Sequence, residues 1–122
     1  MLIVDDEPSL AELAEAFVRA DGYEVLLAHD GRTALELVSL RLPQAVLLDV
    51  GLPDMSGMDV CRLIKSNDAS KHIPVIMLSA ASNPLVESNA LAVGAFAFVA
   101  KPYEPAVLIR ILRRALGAEQ AG

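Results

Sequence analysis

The chain is poor in the residues that staple or metallate small proteins, with one cysteine, Cys61, and two histidines, His29 and His72, in 122 residues. A lone cysteine excludes an internal disulfide and any thiolate metal cluster, and reads as a small helix residue. Neither histidine has partners at metal-ligand spacing, so both read as loop-edge residues. Positive charge is scarce too: 10 Lys and Arg stand against 16 Asp and Glu, for a formal net charge of −6. Phosphate contacts need clustered cations, so this balance argues against nucleic-acid binding by the domain and favours a protein partner. Long apolar runs are missing as well. Hydrophobic residues make up 54% of the chain, yet Asp, Glu, Arg or His interrupts each run before it could span a membrane. The start, Met1-Leu2-Ile3-Val4-Asp5-Asp6, has no basic segment ahead of its apolar stretch, unlike a secretory signal. The expectation is a soluble, cytoplasmic protein with no membrane partner. No Gly-rich phosphate loop, internal repeat, low-complexity tract or linker is present, which leaves one domain filling the chain, with a frayed tail at 118–122.

What is present is an alternation. Five short aliphatic runs predict strands near Leu2–Asp5, Glu24–Ala28, Ala45–Asp49, Val75–Ser79 and Phe96–Ala100. Because each run is nearly continuous in apolar residues, the strands should be parallel and covered on both faces. Helical stretches intervene, with start signals at Pro8, Asp30 before Gly31–Leu40, Ser56 before Gly57–Ser66, Ser82 or Asn83 before Pro84–Val93, and Glu104 or Pro105 before Leu116. Gly22, Gly94 and Gly117 stand where helices should stop. Strand-then-helix alternation with right-handed crossovers gives a three-layer α/β sandwich.

In such a sheet ligands gather beyond the carboxyl ends of the strands. The residues closing the strands here are Asp5 and Asp6, Asp49, Ser79 and Lys101. Taken singly they are bland: an Asp pair before proline is usually a cap, a serine after a strand a turn residue, and Lys-Pro a loop. Taken together they are not, because stability gives a fold no reason to close adjacent strands with this mix of charges. Two carboxylates about 5 Å apart repel by about 3 kcal/mol at an effective dielectric near 20. Lys101 supplies one neutralising charge, and a hard divalent cation suits the rest, since all-oxygen ligands without His or Cys favour Mg²⁺. A carboxylate screened in this way can act as a nucleophile toward phosphorus, and Asp49 is the candidate.

These residues resemble the receiver (CheY-like) domains of two-component response regulators. The resemblance runs from Leu2 to Leu116 through four segments: Leu2–Pro8, Leu47–Gly57, Val75–Ala80 and Val99–Pro102. It implies a doubly wound (βα)5 flavodoxin-like sheet of order 2-1-3-4-5, in a receiver domain over 1–117. It further implies Asp49 as phosphoacceptor, with Asp6, Asp49 and the Gly51 backbone carbonyl as Mg²⁺ ligands and Asp5 binding through water. Ser79 and Lys101 would hold the phosphoryl oxygens with the backbone N–H groups of Gly51 and Ala80. Ser79 and Phe98 would form the switch, and the Lys101-Pro102 peptide would be cis. The donor would be a sensor histidine kinase or a histidine phosphotransfer protein. The output partner or effector would meet the face of helix four, strand five and helix five, which includes Leu85, Val86, Phe96, Phe98, Tyr103 and the basic run Arg110, Arg113 and Arg114. Those arginines read equally as a solvated face.

Two departures stand out. Gly51 and Ala81, two residues past the phosphoacceptor and the switch hydroxyl, carry no functional side chain, which leaves the phosphate lifetime open. The stretch Gly94–Phe98 lacks the paired acidic residues of the DNA-binding subfamily, which disfavours that subfamily's salt-bridged dimer. An aspartyl-phosphate phosphatase of the haloacid dehalogenase type would want a second Asp at position 51. The protein therefore reads as a signalling domain that catalyses only its own phosphorylation and dephosphorylation. The alternative is a constitutive, unphosphorylated receiver-like interaction module, although such modules usually lose an acidic or lysine position that this chain keeps.

Overall fold

A computed structural model describes residues 1–80 and 83–121, with side chains described except at 8–11, 13 and 118–121. Strands and helices alternate as β1 (Leu2–Val4), α1 (Pro8–Ala20), β2 (Leu26–Ala28), α2 (Gly31–Arg41) and β3 (Val46–Asp49), followed by α3 (Gly57–Ser66), β4 (Val75–Ser79), α4 (Pro84–Ala92), β5 (Ala97–Ala100) and α5 (Pro105–Ala121). The strands form one five-stranded sheet of order β2-β1-β3-β4-β5, and each neighbouring pair is parallel. The parallel, covered sheet is the one expected from the alternation, and its strand order is the doubly wound one that the resemblance implies.

The sheet separates two apolar layers. Ile3, Leu47, Ile76 and Leu78 point to one side and meet Ala14 and Val18 of α1 and Leu108, Leu112, Ala115 and Leu116 of α5. Leu2, Val4, Val46, Leu48, Val75 and Met77 point to the other and meet Ala34 and Val38 of α2, Val60, Cys61 and Ile64 of α3, and Ala90 of α4. Period-two alternation of side chains along fully covered strands produces this division. It also explains why β3 and β4 read as unbroken apolar runs.

Helix boundaries follow local chemistry. Asp30 accepts the Thr33 N–H at the start of α2, Ser56 accepts the Met58 N–H at the start of α3, and Asn83 accepts the Val86 N–H at the start of α4. Ser82, the alternative start signal for α4, lies outside the described residues. Gly22 and Gly94 follow α1 and α4 with φ of 94° and 100°, a conformation that glycine adopts without a Cβ penalty.

Several expected boundaries move. β2 begins at Leu26 rather than Glu24, because this edge strand pairs only along Leu2–Val4 of β1. β1 ends at Val4, although the Asp5 N–H still donates to Ala28 O at 3.0 Å. β5 enters the ladder at Ala97 rather than Phe96, whose N–H reaches Val75 O at 2.8 Å. α2 runs one residue further, to Arg41, and α4 stops one residue sooner, at Ala92. Gly117 does not stop α5, which continues to Ala121. A glycine permits a left-handed stop without imposing one, and inside a helix it costs only about 1 kcal/mol relative to alanine.

Candidate functional site

The parallel register brings the charged strand ends together. Val4 pairs with Leu48 and Asp49 with Leu78, so Asp5 and Asp49 leave neighbouring strands at one level. Ser79 pairs with Ala100, which delivers Lys101 to the same edge, and the Lys101 N–H donates to Ser79 O at 2.8 Å. The Lys101-Pro102 peptide is cis. A cavity of about 570 Å³ opens over this edge, and Asp6, Asp49, Gly51, Ser79, Ala80, Lys101 and Tyr103 are among the residues that line it.

The ammonium of Lys101 lies between two buried carboxylates, donating to Asp49 Oδ2 at 2.9 Å and to Asp5 Oδ2 at 3.1 Å. Asp5 Oδ1 accepts the Glu7 N–H at 2.9 Å, so both oxygens of this buried residue are engaged. Asp49 Oδ1 accepts the Gly51 N–H at 3.1 Å. Asp6, by contrast, is exposed. Oxygens from Asp5, Asp6 and Asp49 all lie within 4.8 Å of one another. Three carboxylates and one ammonium leave an excess of two negative charges. An all-oxygen donor set with that excess fits a small hard dication that keeps part of its water shell.

Burial raises the Asp49 carboxyl above its ordinary value of 3.8, against the opposing effects of Lys101 and the Gly51 N–H, and the charge of Asp5 adds to the rise. For Lys101 burial acts to lower the value, but the hydrogen bond and charge of Asp49, then of Asp5, overturn it and leave the ammonium favoured. The result is a buried carboxylate whose charge is costly beside a cation whose charge is secure.

Of the residues singled out in the sequence, Asp5, Asp6, Asp49, Gly51, Ser79, Ala80 and Lys101 converge on the cavity edge. Phe98 does not line it. Its ring packs with the α2–α3–α4 layer, and it borders a groove with Asn83, Pro84, Glu87 and Ala100. Ala81 lies outside the described residues. Two surface assignments change. Tyr103 turns into the cavity, where burial and then the charge of Asp5 raise its hydroxyl's pKa. Arg110 and Arg113 line a groove with Phe17 and Ala20 of α1, and Arg113 pairs with Asp21. These two arginines therefore belong to the α1–α5 side, because the period of α5 turns their face toward the end of α1.

One residue went unrecognised in the sequence. Asp54 accepts the Gly31 N–H at 2.7 Å and the Arg32 N–H at 3.0 Å, which caps α2 from the β3–α3 loop. Those two bonds pull its carboxyl below the ordinary range. A cap supplied from more than twenty residues away leaves no local signal, and beside Pro53 an aspartate reads as a turn residue.

Comparison with known proteins agrees with this geometry. Residues 1–113 match the response regulator receiver domain family. The DNA-binding response regulator MtrA of Mycolicibacterium smegmatis is 37% identical over 116 residues, covering 95% of this chain and 50% of that protein. Response regulator PleD of Caulobacter vibrioides is 38% identical over 113 residues, covering 93% of this chain and 25% of that protein. The chain thus spans half or less of these relatives. Among solved structures, the receiver domain of a signal transduction histidine kinase from Syntrophus aciditrophicus superposes with a TM-score of 0.89 at 34% identity, covering 96% of this chain and 89% of that one.

Proposed function

The chain belongs to the response regulator receiver domain family, and on that premise we propose that it is a phosphorylation switch whose phosphoacceptor is Asp49. The observation that carries the reading is the shared ammonium: Lys101 bonds Asp49 and Asp5 together at the strand edge while Asp6 stays open to solvent.

An Asp49 carboxylate oxygen attacks phosphorus, a P–O bond forms, and the bond from phosphorus to the donor breaks with its electron pair leaving on the donor. Lys101, already 2.9 Å from Asp49 Oδ2, stabilises the charge gathering on the phosphoryl oxygens. The Ser79 hydroxyl and the N–H groups of Gly51 and Ala80 bind those oxygens. Mg²⁺, held by Asp6, Asp49 and the Gly51 carbonyl with Asp5 acting through water, would screen the carboxylates and polarise the phosphoryl group. Both Asp5 oxygens are engaged by Lys101 and Glu7, which supports an indirect role for that residue.

The receiver unit of this reading occupies residues 1–117, with the last turn of α5 beyond it. It acts in the cytoplasm, takes its phosphoryl group from a histidine kinase or histidine phosphotransfer protein, and binds no nucleic acid or membrane. A partner or effector reads the α4–β5–α5 face. Coupling runs from Ser79 to Phe98, whose ring borders the groove along α4. Moving a two-state equilibrium from 1:99 to 99:1 needs about 5.5 kcal/mol, more than the 1.5–3 kcal/mol or so from one hydrogen bond to a charged group. Ser79, Lys101 and Phe98 must therefore act together. Ser79→Ala should leave phosphorylation of Asp49 largely intact while uncoupling partner binding, and equal loss of both would sink this coupling.

The direct test is the intact mass after incubation with acetyl phosphate, with MgCl2 or with EDTA, for wild type and Asp49→Asn. A gain of one phosphoryl mass that requires both Mg²⁺ and Asp49 supports the reading. No gain by a folded protein, from acetyl phosphate or from a cognate donor, favours a constitutive interaction module instead.

A further inference from the structure

The loop between β3 and α3 is closed at its base. Gly51 and Ser56 pair in an antiparallel bridge, and the Gly57 N–H donates to Val50 O at 2.8 Å. Gly57 lies so close to β3 that a Cβ there would overlap the Asp49 carbonyl. The far end of the loop is fastened to another element. Asp54 Oδ1 and Oδ2 accept the Gly31 and Arg32 N–H groups at the start of α2, and Met55 fills the space beside Gly31 that a Cβ would need.

Asp30 caps α2 locally through the Thr33 N–H at 2.7 Å, and Asp54 takes the two N–H groups before it, so it serves the helix and fastens the loop at once. The segment leading into α2 is also joined to the end of β1, since His29 Nδ1–H donates to the carbonyl oxygen of Asp5, the residue after that strand, at 2.9 Å. It therefore acts as a strut between the two segments that bring Asp5 and Asp49 to the cavity. Gly51 lines that cavity and is exposed, with no atom within 4 Å of an added Cβ. It is held through the backbone, by its bridge to Ser56 and its N–H bond to Asp49 Oδ1, and so moves with the loop that Asp54 fastens.

We infer that Asp54 is a positioning residue for cation binding: its two bonds to the start of α2 hold the loop so that the Gly51 carbonyl stays at the site. The inference rests on the reading above, in which that carbonyl joins Asp6 and Asp49 around Mg²⁺. The carboxylate bonds are charge-assisted and face the positive end of a helix, so they tether the loop even though Asp54 itself is exposed. Groups that orient metal ligands commonly govern affinity without touching the ion.

The test is calorimetric titration of the whole chain with MgCl2 at pH 7, paired with thermal unfolding in EDTA, for wild type, Asp54→Ala, Asp54→Asn and Asp30→Ala. Asp54→Ala should weaken Mg²⁺ binding by about tenfold. Asp54→Asn, which keeps one acceptor oxygen but no charge, should fall between Asp54→Ala and wild type. Asp30→Ala should lower the unfolding temperature while leaving the Mg²⁺ Kd within about twofold of wild type, as expected for a cap that serves only its helix. Unchanged affinity in Asp54→Ala overturns the inference. So does equal weakening in the Asn and Ala variants, which would point to bulk charge, or equal weakening in Asp30→Ala, which would point to helix stability. Absence of Mg²⁺ binding by the wild type overturns the parent reading and this one with it.

Discussion

Replacing Asp49 by asparagine should make the metal-free protein more stable. The carboxylate is 2.9 Å from the Lys101 ammonium, an attraction of about 5.7 kcal/mol at an effective dielectric near 20. Asp5, with an oxygen within 4.8 Å, takes back at least about 3.5 kcal/mol at the same dielectric. Exposed Asp6, within the same range but screened by water, takes back at least about 0.9 kcal/mol. The net attraction, at most about 1.3 kcal/mol, is smaller than the several kcal/mol that desolvating a buried ion costs. Burial is accordingly the first cause of the raised Asp49 pKa. Asp49→Asn removes the costly charge, and Lys101 keeps its bond to Asp5.

The expected gain is about 1–3 kcal/mol in EDTA at pH 7, or roughly 3–10 °C in Tm for a domain of this size. The pH dependence has a definite sign. A carboxyl raised in the folded state destabilises the protein progressively as pH rises from 3.8 through the folded value. The two proteins should therefore converge in acid and separate fully at neutrality. Mg²⁺ at 100 times its Kd adds about 2.7 kcal/mol to the wild type and less to a variant lacking one ligand, so the gap should close or reverse. Thermal unfolding followed by circular dichroism across these conditions is the assay. An asparagine variant that melts at or below the wild type in EDTA at pH 7 refutes the reasoning, because Lys101 would then more than compensate for burial.

Three further outcomes follow from the packing. Gly57→Ala should destabilise the fold by about 1–3 kcal/mol in urea unfolding, the usual cost of overpacking, because the new methyl overlaps the backbone at Asp49, the last residue of β3, and at Val50 after it. A loss under about 0.5 kcal/mol would mean that the loop yields easily. Ser70→Ala should cost about 1–2 kcal/mol, since the buried Ser70 hydroxyl donates to Ile64 O at 2.8 Å and that carbonyl would lose its partner. A neutral result in the same assay would point to a replacement by water. Cys61, fully buried and with its thiol's pKa raised chiefly by burial, should react with a disulfide reagent at neutral pH only as fast as the surrounding structure opens. Immediate stoichiometric labelling would contradict its burial.

The fold was legible because its signals are local and repeated. β3 and β4 are covered on both faces and show it in unbroken aliphatic runs, and the caps at Asp30, Ser56 and Asn83 stand next to the helices they start. The clustering of the candidate site was legible for a related reason, since a parallel sheet carries the carboxyl ends of its strands to one edge and the charged residues there needed only to be counted. Long-range contacts were not legible. The bonds from Asp54 to α2 and the pairing of Arg113 with Asp21 join residues far apart in the chain, and neither leaves a mark in local spacing. Gly117 misled for the opposite reason, because a residue that permits a helix stop was taken to require one.

Among the described residues, the two apolar layers on either side of the sheet share no side chains; the strand backbones run between them. A substitution that alters volume beneath α1 and α5 leaves the packing beneath α2, α3 and α4 to first order undisturbed, since distant and unconnected sites contribute independently. Mutational tolerance in such a molecule is divided into two compartments. One outer surface can drift toward a new partner while the other retains an old one, and the charged edge where the compartments meet is the place where such freedom is least.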